Sequence, residues 1–226
     1  MRERTTAFVV ALGLAVVALG CGGGAETSVV NQYFTAHAAD DTNTLTSFAL
    51  VRFDQEVDDW KVVSVGEETR GEAPLPGLVA QQQELETALA TNLKDFRAWG
   101  NDLEIYPKLD EVKALREKES KIPARLQDIA DKYDEFTAKD RELKTQVGDA
   151  KRAVASERRN AKMSVGDIEG LDSLAGEVVS KELDLELTID GQPKPYTMGL
   201  RKYELESDGS GARMMSRWVV QSLDPK

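Results

Sequence analysis

From residue 77 to residue 163 the chain keeps a single hydrophobic period. Leu78, Gln82, Leu85, Leu89, Asn92, Phe96, Trp99 and Leu103 recur at alternating steps of four and three, and Leu126, Ile129, Tyr133, Phe136, Asp140, Leu143, Val147, Ala150 and Val154 repeat the pattern. That spacing keeps one helix face apolar, and each such face needs a second one to cover it. Pro107 and Ile122-Pro123 interrupt the run. Proline removes a backbone donor and clashes with the turn before it, so Pro107 should kink or split the first arm near Trp99-Gly100-Asn101, and Pro123 should mark a reversal. Segments 77–121 and 124–163 are nearly equal in length, as an antiparallel helical hairpin or coiled coil requires, with arms of roughly 60 Å at 1.5 Å per residue. A compact four-helix bundle is the alternative. Charge runs such as Arg116-Glu117-Lys118-Glu119 then read as a solvated face.

The flanking sequence follows other rules. Val29, Val30, Tyr33, Phe34 and Ala38 form a helical stripe, Asp40-Asp41-Thr42 a polar corner, and Leu45, Phe48 and Leu50 a second short helix. Val57, Trp60, Val62, Val63 and Val65 read as one strand or two joined by Asp58-Asp59 and ending at Gly66, and the Gly-, Pro- and acid-rich stretch Glu67 to Pro76 as a linker. A helical turn is expected over Val165 to Leu174. Leu183, Leu185, Leu187 and Ile189 then alternate with polar residues, Asp190-Gly191 and Asp208-Gly209-Ser210-Gly211 supply turns, and Tyr196 to Leu205 and Met214 to Leu223 return as strands. The fold class is α+β: a discontinuous head, 29–66 and 164–226, interrupted by the helical insertion 77–163.

The N-terminus bears on location. Arg2 and Arg4 precede the apolar run Ala7 to Leu19, which has signal-peptide length and is short for a membrane-spanning helix. It ends in Val17-Ala18-Leu19-Gly20-Cys21, which resembles a bacterial lipobox, with Ala18 and Leu19 where Leu and Ala or Ser are commonest. The resemblance implies a signal peptide over 1–20, lipidation of Cys21 with palmitate among its acyl chains, a flexible tether over 21–28, and a protein anchored in the lipid bilayer of the cell envelope. Gly22 after the cysteine implies the outer membrane, facing the periplasm. Loss of the leader takes 29 basic and 40 acidic residues to 27 and 39, a net charge of −12. Cys21 is the only cysteine, so no internal disulfide forms in the oxidising envelope.

The stretches Val30-Asn31-Gln32-Tyr33-Phe34-Thr35-Ala36 with Asp40-Asp41, Ser47-Phe48-Ala49, Trp60-Lys61-Val62-Val63 and Trp218-Val219-Val220 resemble the NTF2-like fold, a curved sheet wrapped around a helix. The chain is also similar to uncharacterised envelope proteins with such a head and a helical insertion, for which no activity is implied. In NTF2-like relatives a pocket opens in the cone, and Tyr33, Phe34, Trp60 and Trp218 are the candidate lining; core packing is the competing reading of both tryptophans.

Several chemistries find no support. An acidic chain with a pI near 4.8 lacks the dense Lys/Arg face that phosphate backbones demand, so nucleic acid is not an expected partner. His37, the one histidine, lies near Asp40 and Asp41, and reads as a helix-end residue rather than an acid–base catalyst. Asp54, Glu56, Asp58 and Asp59 lack the spacing of a calcium loop, and Gly209-Ser210-Gly211 lacks the lysine of a phosphate loop. No metal, cofactor or catalytic residue is assigned.

Three functions follow. The first is a non-enzymatic structural or adaptor lipoprotein presenting its helices to an envelope protein, with the region Lys118 to Arg125 as the expected docking tip. The second is a small-molecule-binding or carrier module using the NTF2-like pocket. The third is an efflux-type periplasmic adaptor, weakened by the absence of paired lipoyl half-motifs. The heptads equally allow a homo-oligomer by pairing between chains.

Overall fold

The computed structural model describes residues 24–206, 214 and 216–226. Among these residues the protein is mixed α/β, with five α-helices and a five-stranded antiparallel sheet. In chain order these are α1 (Ala25–Ala38), α2 (Thr42–Phe48), β1 (Asp59–Val65), β2 (Thr69–Glu72), α3 (Leu75–Gly100), α4 (Tyr106–Glu117), α5 (Gln127–Val165), β3 (Gly176–Ile189), β4 (Gln192–Leu205) and β5 (Val219–Pro225). Short 3-10 turns at Ala124–Leu126 and Leu171–Ser173 precede α5 and β3. Cys21, the leader and the Asp208–Gly211 turn lie outside the described residues.

The prolines punctuate the helices. Pro76 and Pro107 occupy the first turns of α3 and α4, where a missing amide hydrogen costs nothing, so Pro107 starts a helix and the arm is in two pieces. Asp41 caps α2 by accepting a hydrogen bond from the Thr44 amide at 3.0 Å. Thr44, through its hydroxyl and amide, holds that carboxyl below the usual range.

The sheet is built around β3, with β4 and then β5 on one side and both β1 and β2 on the other. Here the linker expected over Glu67 to Pro76 is corrected. Thr69–Glu72 pairs with Glu177–Ser180 and prolongs the line of β1, although all four of its residues are exposed. Its backbone is satisfied by the β3 edge, a long-range pairing that local composition does not encode. Asp190 and Gly191, at φ of 53° and 70°, make the tight turn between β3 and β4, and the left-handed conformation there suits Gly.

Side chains alternate across a strand, and the continuous β3–β4 register splits the core in two. Leu183, Leu185, Leu187 and Ile189 with Tyr196, Met198 and Leu200 lie on the face covered by α1 and α2. Val178, opposite Tyr203, has the other parity, and with Tyr203 and Leu205 it packs on the opposite face against Leu75, Val154, Ala161, Leu171 and Leu174. The two long helices are therefore rooted on the reverse side of the sheet from α1. Polar groups lock that root. Glu157 accepts from the Tyr203 hydroxyl at 2.6 Å and from Arg201 at 3.2 Å, while the Ser164 hydroxyl donates to the Arg217 carbonyl at 2.8 Å and accepts from the Tyr203 amide at 3.0 Å.

α3 and α5 run in opposite directions, since Glu86 meets Lys151 at 3.0 Å whereas Trp99 lies 5.5 Å from Phe136. α4 runs with the start of α5, because Glu111 bonds Arg125 at 3.0 Å and Arg116 pairs with Asp134. Residues 118–123 carry the chain back between them.

Candidate functional site

At the sheet-proximal end the α3/α5 seam is closed by Val154 and Ala161, but farther out two helices alone do not cover their own apolar faces. Leu143, Val147 and Ala150 of α5 are buried, whereas Leu85, Leu89, Phe96, Trp99, Tyr133 and Phe136 are only half-buried. Phe96 contacts Phe136 edge-on at 5.6 Å and Tyr133 at 6.1 Å. Between the helices lies a groove of about 200 Å³ lined by Asn92, Leu93, Phe96, Tyr133, Phe136, Thr137, Asp140 and Lys144.

The polar members of the groove are ordered. Asn92 is only 4% exposed, and its amide nitrogen donates to the Phe136 carbonyl at 3.4 Å. Thr137 donates to the Tyr133 carbonyl at 2.7 Å, and Lys144 pairs with Asp140 at 2.7 Å. Beyond the groove, in the turn from α3 to α4, Leu103 is 91% exposed and Tyr106 54%. Residues 75–165 hold 17 basic and 17 acidic side chains, so the chain's whole net charge of −11 lies outside them. The groove is thus an apolar, aromatic strip on helices whose charged side chains balance to no net charge, and it is suited to another polypeptide face.

In the expected tip, Lys118 to Arg125, every residue but Ile122 is exposed and all of them except Ile122 and Ala124 are polar, charged or proline. Ile122 is half-buried against a small cluster of Val112, Leu126 and Ala130, which leaves the tip without an exposed large apolar side chain. The exposed large apolar side chains are instead Leu93, Leu103 and Tyr106 here, with Val63 and Val65 on β1. Asn92, Phe96, Tyr133, Phe136 and Asp140 are seam positions legible in the sequence; Leu93, Thr137 and Lys144 are not. Leu93 carried one signal, an apolar side chain one residue off the seam.

The residues considered for a pocket are brought together as packing. Tyr33 and Phe34 are fully buried, Trp218 is 5% exposed, and Trp60 packs against the same cluster. Phe34 stacks on Trp60 at 5.3 Å, the Trp60 indole donates to Asn31 at 3.0 Å, and Tyr33 donates to the Val51 carbonyl at 3.1 Å. The ammonium groups of Lys202 and Lys181 lie 4.8 and 5.6 Å from the centre of the Trp218 ring. Lys181 also bonds Glu26 at 2.6 Å, which ties the first turn of α1 to the sheet and holds that carboxyl below its ordinary value.

His37 donates from Nε2 to the Gln55 carbonyl at 2.8 Å, and Asp40 is taken by Arg52 at 2.6 Å, so the two are not paired with each other. They line a polar cavity of about 520 Å³ with Asp54 and Glu56. Among the described residues no group of three or more His, Cys, Asp or Glu is placed to hold a metal, and no helix is long and apolar enough to cross a membrane. No protein-family model, no curated protein and no solved structure matches the chain.

Proposed function

We propose that this chain is a lipid-anchored protein of the bacterial cell envelope, held by Cys21 at the outer membrane and facing the periplasm, that acts without catalysis as an adaptor. In this reading the α+β part, taken as an NTF2-like head, carries α3 to α5 as a helical-hairpin insertion whose outer surface docks an envelope protein. The observation that carries it is the half-covered aromatic groove around Phe96 and Phe136, together with exposed Leu93, Leu103 and Tyr106. Exposed apolar surface gathered on one element mostly marks interaction sites. Two further facts support it: Tyr33 and Phe34 are spent on the core, and the Glu157–Tyr203 bond fixes the helices to the sheet.

The test replaces residues 78–162 by a short Gly-Ser link and compares the proteins that co-purify with this variant and with the full-length protein in detergent. Loss of a specific envelope protein, with circular dichroism showing the sheet retained, supports docking. Equal recovery from both contradicts it.

A further inference from the structure

The groove between α3 and α5 has a charged rim that its own helices leave unused. Arg97 stands one turn beyond Leu93 on α3, and Arg141 one turn beyond Thr137 on α5. Neither makes an ion pair among the described residues. The acids on this side of the seam are each engaged, Asp140 by Lys144 at 2.7 Å, Glu86 by Lys151 at 3.0 Å and Asp134 by Arg116, while Asp95 stands about 200° around α3 from Leu93, beyond the seam. The uncommitted charge on the flank of the groove that carries Leu93 and Thr137 is therefore cationic, although the chain as a whole is acidic.

The floor adds shape. A space of about 200 Å³ walled by Phe96, Tyr133 and Phe136 has room for one large apolar side chain rather than a drug-sized molecule. A groove between two packed helices accepts a third helix, whose anchors recur at steps of three and four. Asn92 lines the groove with its amide held on the Phe136 carbonyl, which sets a polar mark within an apolar floor.

Resting on the adaptor reading above, we propose that the groove docks an amphipathic helix of a partner protein whose apolar stripe is flanked by carboxylates. The apolar anchor enters against Phe96 and Phe136. Carboxylates on either side meet Arg97 and Arg141, whose planar guanidinium groups bind them in two-pronged fashion.

Two synthetic helices of about 18 residues with one Leu/Phe stripe, flanked by Glu in one and by Lys in the other, are titrated against the full-length protein in neutral detergent micelles. The Glu helix should bind about tenfold tighter or better, and the Arg97→Glu, Arg141→Glu double variant should reverse the order. Leu93→Asp should weaken both, with circular dichroism unchanged. Equal binding of the two helices, or none, overturns the proposal. So does self-association that Leu93→Asp abolishes, which would make a second copy the occupant, or binding to phosphatidylglycerol vesicles that the double variant abolishes. If replacement of residues 78–162 removes a co-purifying protein that the double variant still retains, docking by the helices stands and the acidic helix fails.

Discussion

The Glu157 carboxylate on α5 accepts a hydrogen bond of 2.6 Å from the Tyr203 hydroxyl on β4, joining the longest helix to the sheet inside the core. Burial first, and the Glu157 acceptor second, push the Tyr203 hydroxyl far above its ordinary value, so it stays protonated and remains a donor throughout the physiological range. Tyr203→Phe should cost about 1–2 kcal/mol. Glu157→Ala should cost about 3 kcal/mol or more, because Arg201 loses its carboxylate partner in a largely buried site. Urea unfolding followed by circular dichroism checks both, and similar midpoints for the two variants and the native protein would remove the clamp from the account.

Acid should weaken the opposite face of the same sheet. Glu204 bonds Arg70 at 2.9 Å and Lys202 at 2.9 Å, and these partners, Arg70 foremost, hold its carboxyl at about 2. Since the folded value lies below the unfolded one, the contribution is complete above about pH 4.5 and lost as pH falls toward 2. Glu26, Glu68 and Asp172 are shifted in the same direction and add to the loss. Stability measured from pH 7 to pH 2.5 should fall over this window, and the fall should be shallower for Glu204→Gln.

Phe34→Ala should cost about 3–5 kcal/mol, the penalty of a cavity in a packed core. A loss under about 1 kcal/mol would instead fit a ring lining open space, and would favour the small-molecule reading.

Gly176 opens β3 at φ 150°, and a Cβ there would lie 2.4 Å from the Glu204 carbonyl oxygen. Gly176→Ala should therefore destabilise by more than about 1 kcal/mol, since neither the backbone angle nor the neighbouring strand accommodates the methyl group. Thermal unfolding measures it.

Much of this arrangement is written in local chemistry. Pro107 and Asp190-Gly191 announce a helix start and a hairpin turn because each demands a particular backbone angle, and the alternation from Leu183 to Ile189 announces a strand with one buried face. Thr69–Glu72 could not be read that way: its pairing depends on an edge more than a hundred residues away in sequence. Depth of burial was equally hidden. Tyr33, Phe34, Trp60 and Trp218 have the composition of a pocket wall or of a core, and only the packing of α1 on the sheet places them in the core. In the groove, the seam announced Phe96 and Phe136, but Leu93 sits off the repeat, and the half-burial of Ile122 follows from α4 lying alongside α5.

Asn92→Leu offers a separation of stability from docking. Replacing the nearly buried amide by an apolar side chain should raise stability by about 1 kcal/mol while filling the groove, so capture of the partner should fall as the unfolding midpoint rises. Parallel changes in both would place Asn92 in the framework alone.

The most direct measurement is site-specific photocrosslinking in native membranes, with a photoreactive residue at Leu93 in the groove and, for comparison, at Val63 on β1, both exposed. The account predicts one adduct of defined mass at position 93, none at position 63, and loss of the adduct in the Arg97→Glu, Arg141→Glu background. Adducts at 63 alone, at neither position, or at 93 regardless of the arginines would contradict it.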